Sequence, residues 1–142
     1  MGSIYRHTQT GQLMSWAIVL TAIGLFIAGH VAGKGILFLP IAAILGGVGW
    51  IFSSLTVEVT ATKLIWFFGP GFWRKTIERD EIVSATPVRN KWRWGWGIHL
   101  TPRGWLYNVA GLEGVEIALS NGRTLRVGSD EAWALANALS QH

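Results

Sequence analysis

Histidine would be the first choice for a metal ligand or a general base in this chain, because the 142 residues include no cysteine. No histidine has a second histidine or a glutamate at the spacing of a zinc motif. Without cysteine, disulfide bonds, iron–sulfur clusters and thiolate nucleophiles are also excluded. The sequence therefore predicts no metal site and no cofactor at its four histidines, which are His7, His30, His99 and His142.

Carboxylate and hydroxyl side chains form no clearer catalytic arrangement. Glu78, Asp80 and Glu81 cluster around Arg79, and we interpret them as a solvated turn rather than as a pair of catalytic acids. No serine lies in a G-x-S-x-G nucleophile elbow, and the glycines form neither a phosphate-binding loop nor a dinucleotide fingerprint. We therefore expect that the protein is not an enzyme.

One segment combines aromatic and basic side chains in a pattern that is typical of contact surfaces. The chain has nine tryptophans, and three of them lie in the run RNKWRWGWG. If this run is extended, alternation places the three tryptophans on one face and a lysine and an arginine on the other. Our candidates for contact with a membrane or a partner protein are Lys91, Trp92, Arg93, Trp94 and Trp96, together with Arg74 and Lys75.

Three interpretations of this segment remain open. The tryptophan rings fill the mouth of a barrel, or they lie at the headgroup level of a bilayer while the cations meet anionic phosphates, or they anchor a protein interface. Nucleic acid is not an expected partner. Residues 57–142 contain ten basic and eight acidic side chains, so this part of the chain carries a net charge of only +2.

The first half of the chain contains two stretches, 7–33 and 35–57, that have no Asp, Glu, Lys or Arg. Only Lys34 separates them. Each is long enough to cross the hydrocarbon core of a bilayer as a helix. We therefore predict that residues 1–55 form an N-terminal tail and a transmembrane helical hairpin, with spans at about 13–33 and 35–55. Two alternatives are a signal peptide cleaved near Ala32 and a pair of core helices, although neither stretch has the polar face of a surface helix.

Small residues recur four apart in both predicted spans. They allow close packing of helices, either within the hairpin or between copies in a homo-oligomer. These positions are Gly29 and Gly33 in the first span, and Ala42, Ala43, Gly46 and Gly47 in the second. Because Arg6 precedes the first span and several Lys and Arg follow the second, the positive-inside rule predicts cytoplasmic termini in a bacterial inner membrane.

The second half of the chain, residues 56–142, predicts about seven antiparallel strands and a C-terminal helix at about 130–141. VEIALS and RTLRVG flank an Asn-Gly pair, which is a strong signal for a hairpin turn. Ala132, Leu135, Ala136 and Leu139 form one apolar stripe, and Ser129 is the expected N-cap. Alternation predicts a core of Val57, Val59, Leu64, Trp66, Ile82, Ile98, Leu100, Ile117, Leu119, Leu125, Val127, Leu135 and Leu139.

The runs KLIWFFGPGFWRKTIERDEI, GWGIHLTPRGWLYNVAG and VEIALSNGRTLRVGSD, with the terminal helix, resemble bacterial pleckstrin-homology-like (PH-like) domain proteins that carry an N-terminal membrane hairpin. The resemblance covers about residues 55–141. It implies a membrane α-hairpin of two transmembrane helices, followed by a PH-like antiparallel β-sandwich or open barrel capped by the C-terminal helix. It implies no common catalytic residues. The turn Ala61-Thr62-Lys63 holds one basic residue, so we expect general contact with anionic lipid rather than a phosphoinositide pocket.

The resulting expectation is a membrane-anchored, non-catalytic scaffold or accessory module. Its cytoplasmic β domain is expected to contact a membrane or cytoplasmic protein partner, the anionic bilayer surface, or both. The alternatives are a membrane enzyme and a subunit of an oligomeric transport complex. The second of these requires a high-order ring, because the two spans hold no charged residue that would line an ion pathway.

Overall fold

The computed structural model describes residues 2–141; Met1 and His142, the last residue of the predicted β domain, lie outside the described residues. Within 2–141 the chain forms two apolar helices, two sheets and a C-terminal helix. The helices are α1 (Gln12–Val31), α2 (Gly35–Ile51) and α3 (Ala132–Ser140). The strands are β1 (Tyr5–Thr10), β2 (Ser54–Val59), β3 (Lys63–Phe68), β4 (Phe72–Glu78), β5 (Ile82–Arg89), β6 (Gly97–Thr101), β7 (Gly104–Asn108), β8 (Glu113–Leu119) and β9 (Thr124–Gly128).

The first sheet has the order β1-β2-β3-β4, and all its pairs are antiparallel. Its edge strand β1 corrects the prediction, which treated the residues before the first helix as a tail. The segment YRHTQT shows no apolar alternation, yet it pairs with β2 from Tyr5 opposite Val59 to Thr10 opposite Ser54. The helical hairpin is therefore inserted between two neighbouring strands of one sheet.

The second sheet has the order β5-β8-β9-β7-β6. The predicted hairpin at Asn121-Gly122 is confirmed, because β8 and β9 pair antiparallel across it. Two differences appear. After the hairpin the chain forms eight strands, β2–β9, rather than about seven, and β7 pairs with β9 in parallel rather than antiparallel.

The two apolar helices pack against each other through two glycines. A side chain at Gly29 would collide with the Phe38 ring, since an added Cβ would lie 2.6 Å from it, and one at Gly49 would lie 3.2 Å from Ile18. In the part of the chain that the structure describes, only α1 has both the length and the apolar composition of a membrane span. The second helix has 17 residues, so the structure supports one of the two predicted spans.

The core lies between the sheets and is closed on one side by α3. Most of the predicted core positions are buried, including Leu135 of α3 and Trp66 of β3. Ile98, Leu119 and Leu125 are only partly buried, and Leu100 was wrongly predicted, since it is 71% exposed. Ser129 lies just before α3 rather than at its N-cap, and its hydroxyl accepts a hydrogen bond from the Glu131 N–H at 3.1 Å.

Candidate functional site

The residues 90–96, which we call the tryptophan loop, connect β5 to β6 and do not form a strand. Trp92–Trp94 makes a single 3₁₀ turn, and Gly95 then takes a positive φ of 66° that glycine adopts without strain. The alternation expected for an extended run is therefore broken. Trp92 is 81% exposed, whereas Trp94 and Trp96 are half-buried. The three rings do not share one face.

Trp94 is held against the second sheet by a buried cation. The guanidinium carbon of Arg126 lies 5.1 Å from the centroid of the Trp94 ring. The same guanidinium donates to Glu116 at 2.8 Å and to the Asn90 side chain at 3.1 Å. Lys91 approaches the Trp94 ring with its Nζ at 5.9 Å. Trp94 thus has a structural role, and the exposed side chains of the loop are those of Lys91, Trp92 and Arg93.

The tryptophan loop is joined to the base of the helical hairpin through residues 109–112. On one side, the Trp96 indole N–H donates to the Gly111 carbonyl at 3.2 Å, and the Asn90 backbone N–H donates to the Leu112 carbonyl at 2.6 Å. On the other side, the Gln9 side chain donates to the Ala110 carbonyl at 3.0 Å. The hairpin begins at Gln12, three residues after Gln9. The candidate loop and the start of α1 therefore lie at the same end of the β domain.

A second aromatic group lies at this end and was not among the predicted contact residues. Two aromatic pairs, Phe52 with Trp73 and Trp50 with Phe72, lie where α2 enters the first sheet. Trp73 stacks on Phe52 with ring centroids 6.0 Å apart, and Phe72 meets Trp50 edge-on at 6.0 Å. The Gly69-Pro70-Gly71 turn presents these rings, and at Gly69 (φ 51°) an added Cβ would lie 2.7 Å from the Ile51 carbonyl. The aromatic residues that flank this turn were the signal that could have revealed the group.

Two of the predicted contact residues lie elsewhere. Arg74 and Lys75 are exposed on β4, and the guanidinium carbon of Arg74 lies 4.6 Å from the centroid of the Phe67 ring. The structure therefore does not join them to the tryptophan loop. They belong to a separate surface at the edge of the first sheet.

The predicted small-residue positions in the helices also differ in their surroundings: some pack between the helices and others do not. Gly29 packs inside the hairpin, as expected for one of the two interpretations. Gly33 forms the turn between the helices with a φ of 69° and is not a packing residue. Ala42 is half-exposed, and Ala43, Gly46 and Gly47 face outward from α2. The residue that packs in α2 is Gly49, which lies outside the four-residue spacing used for the prediction.

Among the described residues, no group of three or more His, Asp or Glu side chains is placed to hold a metal ion. His99 contacts the Trp96 carbonyl, and His7 is 2.6 Å from Asp130. The pKa of Tyr5 is raised to about 12, first by burial and then by its hydrogen bond to Glu131. Burial also raises the pKa of Tyr107. No protein-family model, curated protein or solved structure matches this chain.

Proposed function

We propose that this protein is a membrane-anchored, non-catalytic scaffold or accessory module of the bacterial cytoplasmic membrane. In this proposal its β domain, which we interpret as PH-like, contacts a protein partner and the anionic bilayer surface. The observation that carries the proposal is the contrast between the two parts of the chain. The sheets and α3 form a buried core, whereas the helical hairpin leaves its apolar side chains uncovered.

The hairpin exposes large apolar side chains along the length of both helices. A large apolar surface that is exposed to water promotes aggregation unless a membrane or a partner covers it. Lys34, at the tip, is the only formally charged residue between 12 and 51. The large exposed apolar side chains are Leu13, Trp16, Val19, Leu20, Ile23, Phe26, Ile27, Val31, Ile36, Leu37, Leu39, Ile41, Ile44, Val48 and Trp50.

Both helices are proposed to cross the bilayer. α1 has 20 residues and α2 has 17, which gives lengths of about 30 Å and about 26 Å. The hydrocarbon core is about 30 Å thick, and spans of about 17 residues are the lower end of the usual range. A cleaved signal peptide fits poorly, because cleavage after α1 would also remove β1 and its hydrogen bonds to the β domain.

The end of the β domain at the hairpin base is proposed to face the lipid. Trp16 and Trp50 lie near the base of the hairpin, and Trp73 continues the aromatic group. Tryptophan favours the headgroup level of a bilayer. Lys91 and Arg93 have no carboxylate partner within 4.0 Å among residues 2–141. Each cation near an anionic surface contributes about 1 kcal/mol to binding.

The distribution of basic residues supports cytoplasmic termini. Arg6 and the bases of the β domain lie on one side of the hairpin, and Lys34 lies on the other. The test fuses a reporter that is active only in the cytoplasm to each chain end in turn, and extracts membranes with alkaline carbonate. Both fusions should be active, and the protein should stay in the pellet. An inactive C-terminal fusion, or release by carbonate, would refute the proposal.

A further inference from the structure

The two sheets leave one side of the sandwich open. At the other side, α3 lies between the edge strands β5 and β1. It packs on β5, and Tyr5 and His7 of β1 contact Glu131 and Asp130, the two residues that precede α3. Between the remaining edge strands, β4 and β6, there is no such helix among residues 2–141. A cleft of about 270 Å³ lies here, which we call the open corner; it is lined by Trp73, Lys75, Ile98, Trp105 and Tyr107.

The open corner is an uncovered continuation of the core. In the first sheet Lys75 lies opposite Trp66, and in the second Ile98 lies opposite Tyr107, so both face inward. Trp66 and Tyr107 are themselves in edge contact inside the core, with ring centroids 5.2 Å apart. Farther out, Trp105 is 49% exposed. Apolar side chains of the inner faces therefore remain in contact with solvent.

The rim of the open corner consists of unpaired strand edges. Within the described residues β4 pairs only with β3, and β6 pairs only with β7. Every residue of β4 except Ile77 is exposed. An exposed edge offers backbone N–H and C=O groups to an added strand. Such a strand gains affinity from backbone hydrogen bonds and specificity from alternate side chains that enter pockets beside the edge.

The charge of the edge favours an acidic occupant. Arg74 and Lys75 have no carboxylate within 4.0 Å in the described part of the chain, and the one acid of β4, Glu78, lies 3.4 Å from Lys63. A second copy is a poor occupant. Antiparallel pairing about the centre of β4 would place Lys75 opposite Lys75, and like charges directly opposite each other destabilise a strand pair.

We propose that β4 and the open corner bind an extended, acidic segment of a partner protein. The segment adds to β4 as a further strand and places a bulky apolar side chain between Trp73 and Trp105. This inference rests on the proposed scaffold role and names the chemistry of the partner. The peptide-binding measurement itself is made without anionic lipid, so its failure would leave the membrane contact of the tryptophan loop unaffected.

The test uses the full chain in micelles of an uncharged maltoside detergent. The probe is a fluorescent peptide of about nine residues, long enough to span β4, in which glutamates alternate with valines and one phenylalanine. A twin peptide carries lysine in place of glutamate. We expect the acidic peptide to bind at least about tenfold more tightly than the twin, and to slow amide hydrogen exchange in residues 72–78.

Lys75→Glu should weaken binding of the acidic peptide at least about tenfold, whereas Arg123→Glu, the same charge change in the exposed turn between β8 and β9, should alter it less than about twofold. No binding up to about 1 mM peptide, or equal effects of the two variants, would overturn the proposal. So would an unchanged affinity in Lys75→Glu, since Lys75 would then only protect the edge from aggregation. Displacement of the peptide by phosphatidylglycerol, abolished in Lys75→Glu, would assign the surface to lipid instead.

Discussion

The ring of Trp94 covers the guanidinium of Arg126, with 5.1 Å between the guanidinium carbon and the ring centroid. Arg126 is only 8% exposed, and its charge is balanced by Glu116 at 2.7 Å. The contact fastens the tryptophan loop to the outer face of the second sheet. Trp92, two residues earlier, makes no comparable contact with the residues that the structure describes and is 81% exposed.

This difference predicts unequal costs for truncating the two rings. Trp94→Ala removes a partly desolvated cation–π contact and should lower the free energy of unfolding by about 1–2 kcal/mol. Trp92→Ala should change it by less than about 0.5 kcal/mol. Urea titration of the full chain in detergent micelles, followed by near-ultraviolet circular dichroism, measures both. Equal costs would mean that the loop is packed differently.

The insertion of the hairpin between β1 and β2 predicts that it can be removed. The Gly11 N–H donates to the Ser53 carbonyl at 2.7 Å, so these residues already form the end of an antiparallel pair. Replacing residues 12–52 by Asn-Gly should close a two-residue turn. The resulting chain should be soluble without detergent and unfold cooperatively.

The matched control for this excision is residues 53–142 alone, which lack β1. This fragment loses the buried Gln9 and the bond from Tyr5 to Glu131 at 3.1 Å, and it exposes the edge of β2. It should aggregate or unfold at a lower urea concentration. If the excised chain needs detergent, the hairpin belongs to the core. If the fragment is as stable as the excised chain, β1 contributes nothing.

Charge reversal at the tryptophan loop should weaken binding of the excised chain to anionic vesicles. Lys91→Glu with Arg93→Glu removes two cations, each contributing about 1 kcal/mol, so the affinity for phosphatidylglycerol vesicles should fall by at least about thirtyfold. Arg103→Glu with Arg123→Glu makes the same change in turns at the other end of the domain. Vesicle flotation at low salt should show little effect of that control. Equal losses would point to non-specific attraction.

The environment of Tyr5 predicts a loss of stability at high pH. Burial and the hydrogen bond to Glu131 raise its pKa to about 12, so the neutral phenol is favoured in the folded state. The resulting stabilisation is complete below the unfolded pKa of about 10 and is lost as the pH rises toward the folded value. Absorbance at the tyrosinate band should show a step near pH 12 that Tyr5→Phe removes.

Glu131→Gln provides the corresponding control, since it removes the negative charge near the phenol and should lower the pKa of Tyr5. The chain contains only two tyrosines, so the titration is simple to assign. In denaturant both should ionise near about pH 10. A Tyr5 that ionises near that value in the folded chain would contradict the structure.

Strands were predictable where a buried face imposed alternation. Val57 and Val59 in β2, and Val115 and Ile117 in β8, are all buried as the alternation predicts. The strand β1 was missed because its inward positions hold Tyr5, His7 and Gln9, which meet polar partners rather than the centre of the core. Its pairing depends on β2 and α3, which a local pattern does not contain.

The incorrect predictions for Leu100, for the small residues of α2 and for Trp94 also have their causes in tertiary packing. Leu100 alternates correctly with Ile98, but it lies beside the open corner, where the sandwich provides no cover. The rotation of α2 against α1 selects Gly49 for packing rather than Gly46 or Gly47. Helix rotation is set by the fit of the two surfaces and not by the spacing of small residues in one of them. The contact of Trp94 with Arg126 joins residues 32 apart in the sequence.

The connections between the hairpin and the first sheet restrict how the β domain can turn above a bilayer. One residue separates β1 from α1, and two separate α2 from β2. A domain on a single flexible tether sweeps out a hemisphere, whereas one fixed through two adjacent strands retains at most a rocking motion about the line that joins them. The β4 edge would then keep a constant distance from the bilayer surface and a constant orientation. A membrane-bound partner would then always meet this edge in the same orientation. The effective concentration of the binding site for that partner is thereby raised without any additional contact.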